Sequence, residues 1–254
     1  MTKKIIIIIQ ARIGSTRFPK KVLKLIQQKP VIWHVINRLK QIPKIDNIVL
    51  ATTKKKEDKI LIKIAKQNAI NHFQGKNNNV LNRFYECAKN FDADIIIRIT
   101  SDCPLIDPNL IKKMLNFYMH NNYDYLSNTI IPTFPDGLDI EIFSFSALEK
   151  ASIFAKWRSE IEHVTPYIKK NPKKFKLFNY ENLKNSSHIR LTIDEPVDLK
   201  LIRQIYKKLK PKLVFSLDEV LKIISSEPKL LLLNQHIKRD FGYYKSSQND
   251  KSIR

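Results

Sequence analysis

Ile5 to Ile9 is an unbroken β-branched run, so the strand it forms meets apolar neighbours on both faces. The same pattern returns at Ile48 to Thr52, at the short stretch Ile70 to Phe73 that ends at Gly75, and at Asp94 to Thr100 with its IIIRIT core. Between these runs the period changes to that of a helix. VIWHVINRLKQ follows Pro30, a residue suited to a first helical turn. Glu57 to Asn68 puts Ile60, Leu61, Ile64 and Ala65 on one face, and Val80 to Asn90 is a third helix. Strands alternating with helices predict an α/β fold of three layers around a mostly parallel sheet.

The second half is less regular. Asp107-Pro108 precedes LIKKMLNFYMH, which makes Asp107 the N-cap of a helix. Strands are expected at Tyr123 to Asn128, Leu138 to Phe143, Phe175 to Tyr180 and His188 to Ile193. Helices are expected at Ser146 to Lys156, from the Pro196 region to Lys210, and over Ser216 to His236. No internal repeat or linker divides the chain, so residues 1–245 read as one domain, with a polar, flexible tail over 246–254.

Candidate chemistry gathers where buried strands end. The first strand stops at Gln10 and empties into a loop carrying Arg12, Gly14, Ser15, Thr16, Arg17, Lys20 and Lys21. Open α/β sheets bind ligands at the carboxyl ends of their strands, and two arginines can grip phosphate oxygens in forked pairs. There is no GxGxxG and no GxxxxGK[ST], so the loop is neither a dinucleotide fingerprint nor a P-loop. A second loop, Ser101 to Pro108, follows a buried strand on the same edge. Its Asp102 has no capping duty and suits Mg²⁺, which takes one or two carboxylates together with phosphate oxygens. In a third, Asp194 suits either an N-cap or a second metal ligand, and Asp198 sits in the first helical turn, where the dipole favours it. Asp136-Gly137 reads as a turn tip, and Asp139 and Glu141 alternate onto one strand face. Cys87 and His34 fall on helices as packing or surface residues.

Composition adds bounds. The chain of 254 residues carries 46 Lys and Arg against 24 Asp and Glu, a formal charge of +22. That balance suggests a polyanion partner. The lysines, however, are scattered over every helix, no nucleic-acid motif accompanies them, and the bias toward Ile, Asn and Lys is that of an AT-rich coding sequence. No specific nucleic-acid partner is therefore expected. Two cysteines, Cys87 and Cys103, are too few for a disulfide framework and fit a reducing cytoplasm. The five-residue apolar run behind Lys3 and Lys4 is too short for a signal sequence or for membrane insertion.

The segment QARIGSTRFPKKVL resembles the opening motif of the cytidylyltransferases that make CMP-activated acidic sugars, the acylneuraminate and 3-deoxy-manno-octulosonate types, and is most similar to the spore coat polysaccharide biosynthesis protein F family. Ser101-Asp102-Cys103-Pro104-Leu105-Ile106-Asp107-Pro108 resembles that family's Gly-Asp-Cys-Pro-Leu-Ile-Asp-Pro. IDEPVDL resembles its Val-Asp-Thr-Pro-Glu-Asp-Leu, SEIEHVTPY its Arg-Glu-His-Val-Thr-Pro-Tyr, and NQHIKRDFGYY its close. Two departures are Lys20 and Ser101, each where the family has glycine.

The resemblance implies a Rossmann-like, GT-A-like nucleotide-diphospho-sugar transferase fold and transfer of CMP from CTP to an acidic sugar. Arg12, Arg17, Lys21 and Asp102 would be catalytic; Gln10, Ala11, Arg12, Gly14, Ser15, Arg17, Lys21 and Thr100 would hold the nucleotide. Mg²⁺ would sit on Asp102 and Asp194, and Asp136, Gly137, Asp139, Glu141, Glu162 and His163 would face the sugar, within an acceptor-side and dimerisation subregion at about 130–180. A homodimer, joined by an arm near 130–170, is implied too. Two other readings stand beside this one. A nucleotide-sugar-dependent glycosyltransferase would carry Asp-x-Asp in a loop after a strand, whereas Asp92-Ala93-Asp94 precedes one. The other is a basic RNA- or polyanion-binding protein.

Overall fold

The computed structural model describes residues 3–248 and 250–252. In chain order the elements are β1 (Ile5–Gln10), a small hairpin of β2 (Leu25–Ile26) and β3 (Lys29–Pro30), α1 (Val31–Leu39), β4 (Asn47–Thr53), α2 (Lys59–Gln67), β5 (Asn71–Gly75), α3 (Val80–Asn90), β6 (Ile95–Thr100) and α4 (Pro108–Met119). Then come β7 (Tyr125–Ser127), β8 (Glu141–Ser144), α5 (Phe145–Phe154), α6 (Arg158–His163), α7 (Pro166–Lys169), β9 (Leu177–Asn179), α8 (Pro196–Lys208), α9 (Leu217–Ser226) and α10 (Phe241–Gln248).

Seven strands make one mixed sheet in the order β5-β4-β1-β6-β8-β7-β9. β5, β4, β1 and β6 run parallel, β8 is antiparallel to both β6 and β7, and β9 is parallel to β7. Alternation along β1 assigns the layers. Ile5, Ile7 and Ile9 pack with residues of α1, α2, α4, α8 and α9, while Ile6 and Ile8 pack with residues of α3 and α5 on the other face. Ile6 to Ile9 are fully buried, as a strand covered on both faces must be. The three-layer α/β architecture with a mostly parallel mixed sheet is the one the pattern predicts.

Departures lie in the second half. His188 to Ile193 makes a single bridge, Asp136 to Arg190, instead of a strand. Its backbone groups are shared between two partners: Leu191 N donates to Asp136 O at 2.7 Å and Ile193 N to Asp102 O at 2.9 Å, so no ladder can grow. The expected strand from Leu138 begins only at Glu141, because the Asn128 side-chain amide takes the bonds of Leu138 O and Ile140 N. The helix over Ser216 to His236 stops at Ser226; Glu227-Pro228 breaks it, and Pro228–Leu233 is a 3₁₀ turn. Asp194 is not the N-cap of α8. Glu195 is, with Asp198 reaching back as the capping-box partner. Asp107 caps α4 as expected and also accepts Leu217 N at 2.7 Å, which pins α9. Within the tail expected at 246–254, the residues to Gln248 belong to α10 and Asp250 accepts Ser159 N at 2.9 Å, while residues 249, 253 and 254 lie outside the described ones.

Candidate active site

At the carboxyl ends of β1 and β6 the three loops meet. In the first, Ala11 and Ile13 are buried and Arg12 and Gly14 exposed, so the apolar pair roots the loop while the cation points out. Ile13 N donates to the fully buried Asp58 at 2.7 Å, and Asp58 accepts the Thr53 hydroxyl as well. The loop closes through Lys20 at φ 56°, in the left-handed region. The residue that stands in place of a glycine is therefore at the very position where a side chain is disfavoured. Ser101, the other such replacement, avoids positive φ.

The loop delivers Lys21 Nζ to both acidic loops: 2.5 Å from Asp102 Oδ2 and 2.7 Å from Asp194 Oδ1. Arg17 joins from the rim, 2.8 Å from the same Asp194 oxygen. Burial lowers the pKa of Lys21, but Asp102 and Asp194 outweigh it and leave the ammonium raised. Burial raises Asp194, yet Lys21, Arg17 and Arg190 hold it down at about 2. Two carboxylates thus converge on one cation, a donor set that fits Mg²⁺. Among the described residues no cluster of three or more His, Cys, Asp or Glu could hold a metal, so such an ion would draw its other ligands from phosphate oxygens and water.

Behind this rim lies a second network. Arg190 donates to Asp136 at 2.7 Å, to Asp194 at 2.9 Å and to Asp198 at 3.0 Å, while Asp198 also accepts Asp194 N, Glu195 N and the Asn234 amide. Gly137 turns there at φ +99°, and a Cβ on it would lie 2.5 Å from Thr192 N. Glu141, fully enclosed, accepts Tyr125 Oη at 2.6 Å, Thr165 Oγ1 at 2.5 Å and Arg98. Burial pushes Glu141 up, but Arg98, Lys169 and these hydroxyls win and set it at about 2. Burial lowers His163 to about 4, which keeps it neutral near pH 7.

Two cavities open side by side over the three loops, of about 570 and 490 Å³. Arg17, Thr100, Asp102, His163 and Asp194 line both, so the paired carboxylates stand on the threshold between them. Gln10, Arg12, Ser15 and Lys21 line the first lobe, together with Glu162, expected on the sugar side. Asp136, Asp139 and Glu141 line the second, with Arg98, Lys169 and Lys170 beside them. Ala11 and Gly137 are buried, and Gly14 lies 3.4 Å from Glu57 where a Cβ would be; none of the three lines either lobe. Asp94 caps Lys4 N at 2.7 Å at the opposite end of the sheet, which removes Asp92-Ala93-Asp94 from the cleft.

The profile of the cytidylyltransferase family matches residues 6–226. The chain belongs to that family. It is a nucleotidyltransferase, which sets aside both the glycosyltransferase and the polyanion-binding readings. The spore coat polysaccharide biosynthesis protein SpsF of Bacillus subtilis is 30% identical over 88% of this chain and 95% of its own length. An uncharacterized protein of Methanocaldococcus jannaschii is 38% identical over 93% of this chain and 96% of its own. A 3-deoxy-manno-octulosonate cytidylyltransferase of Trichlorobacter lovleyi is 33% identical over 46% of each chain. A solved cytidylyltransferase of Leptospira borgpetersenii superposes with a TM-score of 0.88 at 34% identity, over 91% of this chain and 97% of its own.

Sequence reading missed Arg98, Arg190 and the buried role of Asp198. The first two carry a signal: each arginine interrupts an apolar run, in IIIRIT and in HIRLTI. A cation so placed must be buried with carboxylates.

Proposed function

We propose that this cytidylyltransferase moves CMP from CTP to a hydroxyl of an acidic sugar of the 3-deoxy or nonulosonic type, for a surface polysaccharide or glycan. The observation that carries the reading is the pair Asp102 and Asp194 converging on one cation between a lobe with Arg12, Arg17 and Lys21 and a lobe with Arg98, Lys169 and Lys170. The relatives' names, SpsF and 3-deoxy-manno-octulosonate cytidylyltransferase, support the acceptor class.

The sugar oxygen forms the new bond to the α-phosphorus, the bond from that phosphorus to the bridging oxygen breaks, and pyrophosphate departs with its electron pair. The hydroxyl proton passes to solvent. Arg12 and Arg17 would grip the β- and γ-phosphates, and Lys21, released from the carboxylates, would follow the charge onto the leaving group. Ser15 and nearby backbone amides complete the cradle. Asp102 and Asp194 would hold Mg²⁺, which when bound neutralises charge on the α-phosphate. Positioning and charge stabilisation then supply most of the rate. The enzyme is proposed to act in the cytoplasm, where the free, buried Cys87 and Cys103 stay reduced, and as a homodimer, checked by its mass in light scattering.

Pyrophosphate release from CTP, read against a panel of 3-deoxy sugar acids and neutral sugars with Mg²⁺, tests the reading. Turnover should require a sugar acid, and Asp102→Asn should lower it by roughly 10²–10³ with the fold intact by circular dichroism. Equal turnover with neutral sugars, or full activity of Asp102→Asn at low magnesium, overturns it.

A further inference from the structure

Residues 239–248 and 250–252 lie beyond the part of the chain that the family profile matches, yet they run along the cleft as a strap. One end is clamped by Arg239, which donates to Phe134 O at 3.0 Å and to Asp139 at 2.6 Å. The other is clamped on α6: Asp250 accepts Ser159 N at 2.9 Å and its hydroxyl at 2.5 Å, and Arg158 N donates to Lys251 O at 3.0 Å. Between the clamps runs α10. Its Phe241 ring lies 5.8 Å from the Arg17 guanidinium, and Tyr243 meets the His163 ring edge-on at 5.3 Å. None of the described residues from 235 to 252 is buried. Hydrogen bonds and ring contacts, not core packing, hold the strap, and segments of that kind open at low free-energy cost.

Phe241 and Gly242 of the strap line both lobes and Ser246 lines the first, whereas Tyr243 and Tyr244 line the second and not the first. Elsewhere that lobe carries Asp136, Asp139 and Glu141, with Arg98 ion-paired to Glu141, Lys169 3.9 Å from the same carboxylate, and Lys170. A sugar acid has two unlike parts, an anionic group and a ring face of C–H bonds. The cations suit the former, and tyrosine rings, apolar bodies with polar tips, suit the latter.

We propose that the strap is a removable wall across both lobes and that Tyr243 and Tyr244, its part in the acceptor lobe, are specificity-determining residues for the acceptor. This rests on reading the second lobe as the sugar site. Because the tyrosines do not reach the first lobe, their loss acts on acceptor binding and spares the nucleotide.

The test uses the full chain carrying Tyr243→Ala and Tyr244→Ala together, beside a Tyr243→Phe, Tyr244→Phe control. Steady-state pyrophosphate release is measured with 3-deoxy-manno-octulosonate and N-acetylneuraminate, and CTP affinity by calorimetry without acceptor. The double alanine variant should raise the acceptor KM by roughly 10- to 100-fold. Its kcat should stay within about threefold, its CTP affinity should be unchanged, and the ratio of kcat/KM between the two sugar acids should move. The phenylalanine variant keeps the rings and should restore KM. Turnover by the wild type with unchanged acceptor KM in the alanine variant overturns the strap proposal and leaves the proposed function standing. A rise in KM for CTP equal to that for the acceptor also overturns it, since the two tyrosines would then serve the nucleotide as much as the acceptor. A wild type that turns over neither sugar acid defeats the proposed function, and the strap proposal falls with it.

Discussion

Arg190 and Lys21 both bind Asp194, one on each carboxylate oxygen, yet they sit in different media. Around Arg190, which is 5% exposed, Asp136 is 9% and Asp198 0% exposed, although Arg190 and Asp136 touch the back of the second lobe and Asp194 is shared with the rim. Around Lys21, Asp102 is 20% and Asp194 18% exposed, and the cleft opens beside them. A closed cluster fixes backbone: it ties the turn at Gly137, the segment before Asp194 and the start of α8 into one body. An open cluster holds charge that a ligand can take over. The difference separates the groups that shape the cleft from those that can exchange partners in it, although all are ion pairs of similar length.

The comparison breaks most severely at Arg190. Arg190→Met leaves Asp136 and Asp198 buried without their cation, which should cost about 3–5 kcal/mol in urea unfolding. Lys21→Met should act the other way round. Stability should fall by no more than about 1 kcal/mol, because its carboxylates keep solvent and Asp194 keeps Arg17 and Arg190, while kcat drops roughly 10²–10³ in a pyrophosphate assay. Equal stability losses in the two variants would erase the distinction.

Glu141 sharpens it by pH. Its carboxyl is held at about 2 against an ordinary 4.5, with burial opposed and overcome by Arg98, Lys169 and two hydroxyls. A depressed carboxyl contributes stability that is full above about pH 4.5 and is lost as the pH falls toward 2. That component is about 3 kcal/mol and should be missing from Glu141→Gln when denaturation midpoints are followed from pH 6 to 2. The smallest effect is expected at Lys20. Lys20→Gly relieves a left-handed φ of 56° and should stabilise by at most about 1 kcal/mol, with kcat little changed, as read by thermal melting and the same assay.

The parallel half of the sheet could be read from the chain because each strand carries its own signal: Ile5 to Ile9 and IIIRIT are apolar without a break. β7 and β9 are three residues each, and the segment at 188–193 alternates like a strand but divides its hydrogen bonds between Asp136 and Asp102. Such sharing is a tertiary fact that no local pattern encodes. The site follows the same division. Arg17, Lys21, Asp102 and Asp194 stand in strand-end loops, where position alone points to function, and they meet. Arg190 could not be matched with Asp136, 54 positions away, until the fold joined them. The anchors of the strap at 246–252, within the stretch read as a tail, are surface polar groups with no apolar run to mark them.

Ile193 N donates to Asp102 O at 2.9 Å, and Ile193 itself is fully buried. That main-chain link joins the residue carrying one cleft carboxylate to the neighbour of the other. The gap between two mutually repelling anions is consequently set when the chain folds, and the work of assembling them is finished before any substrate arrives. On the proposed reading, an incoming ion and triphosphate would meet a seat already spaced, and the free energy of their binding would be available for gripping the phosphorus centre instead of gathering its ligands.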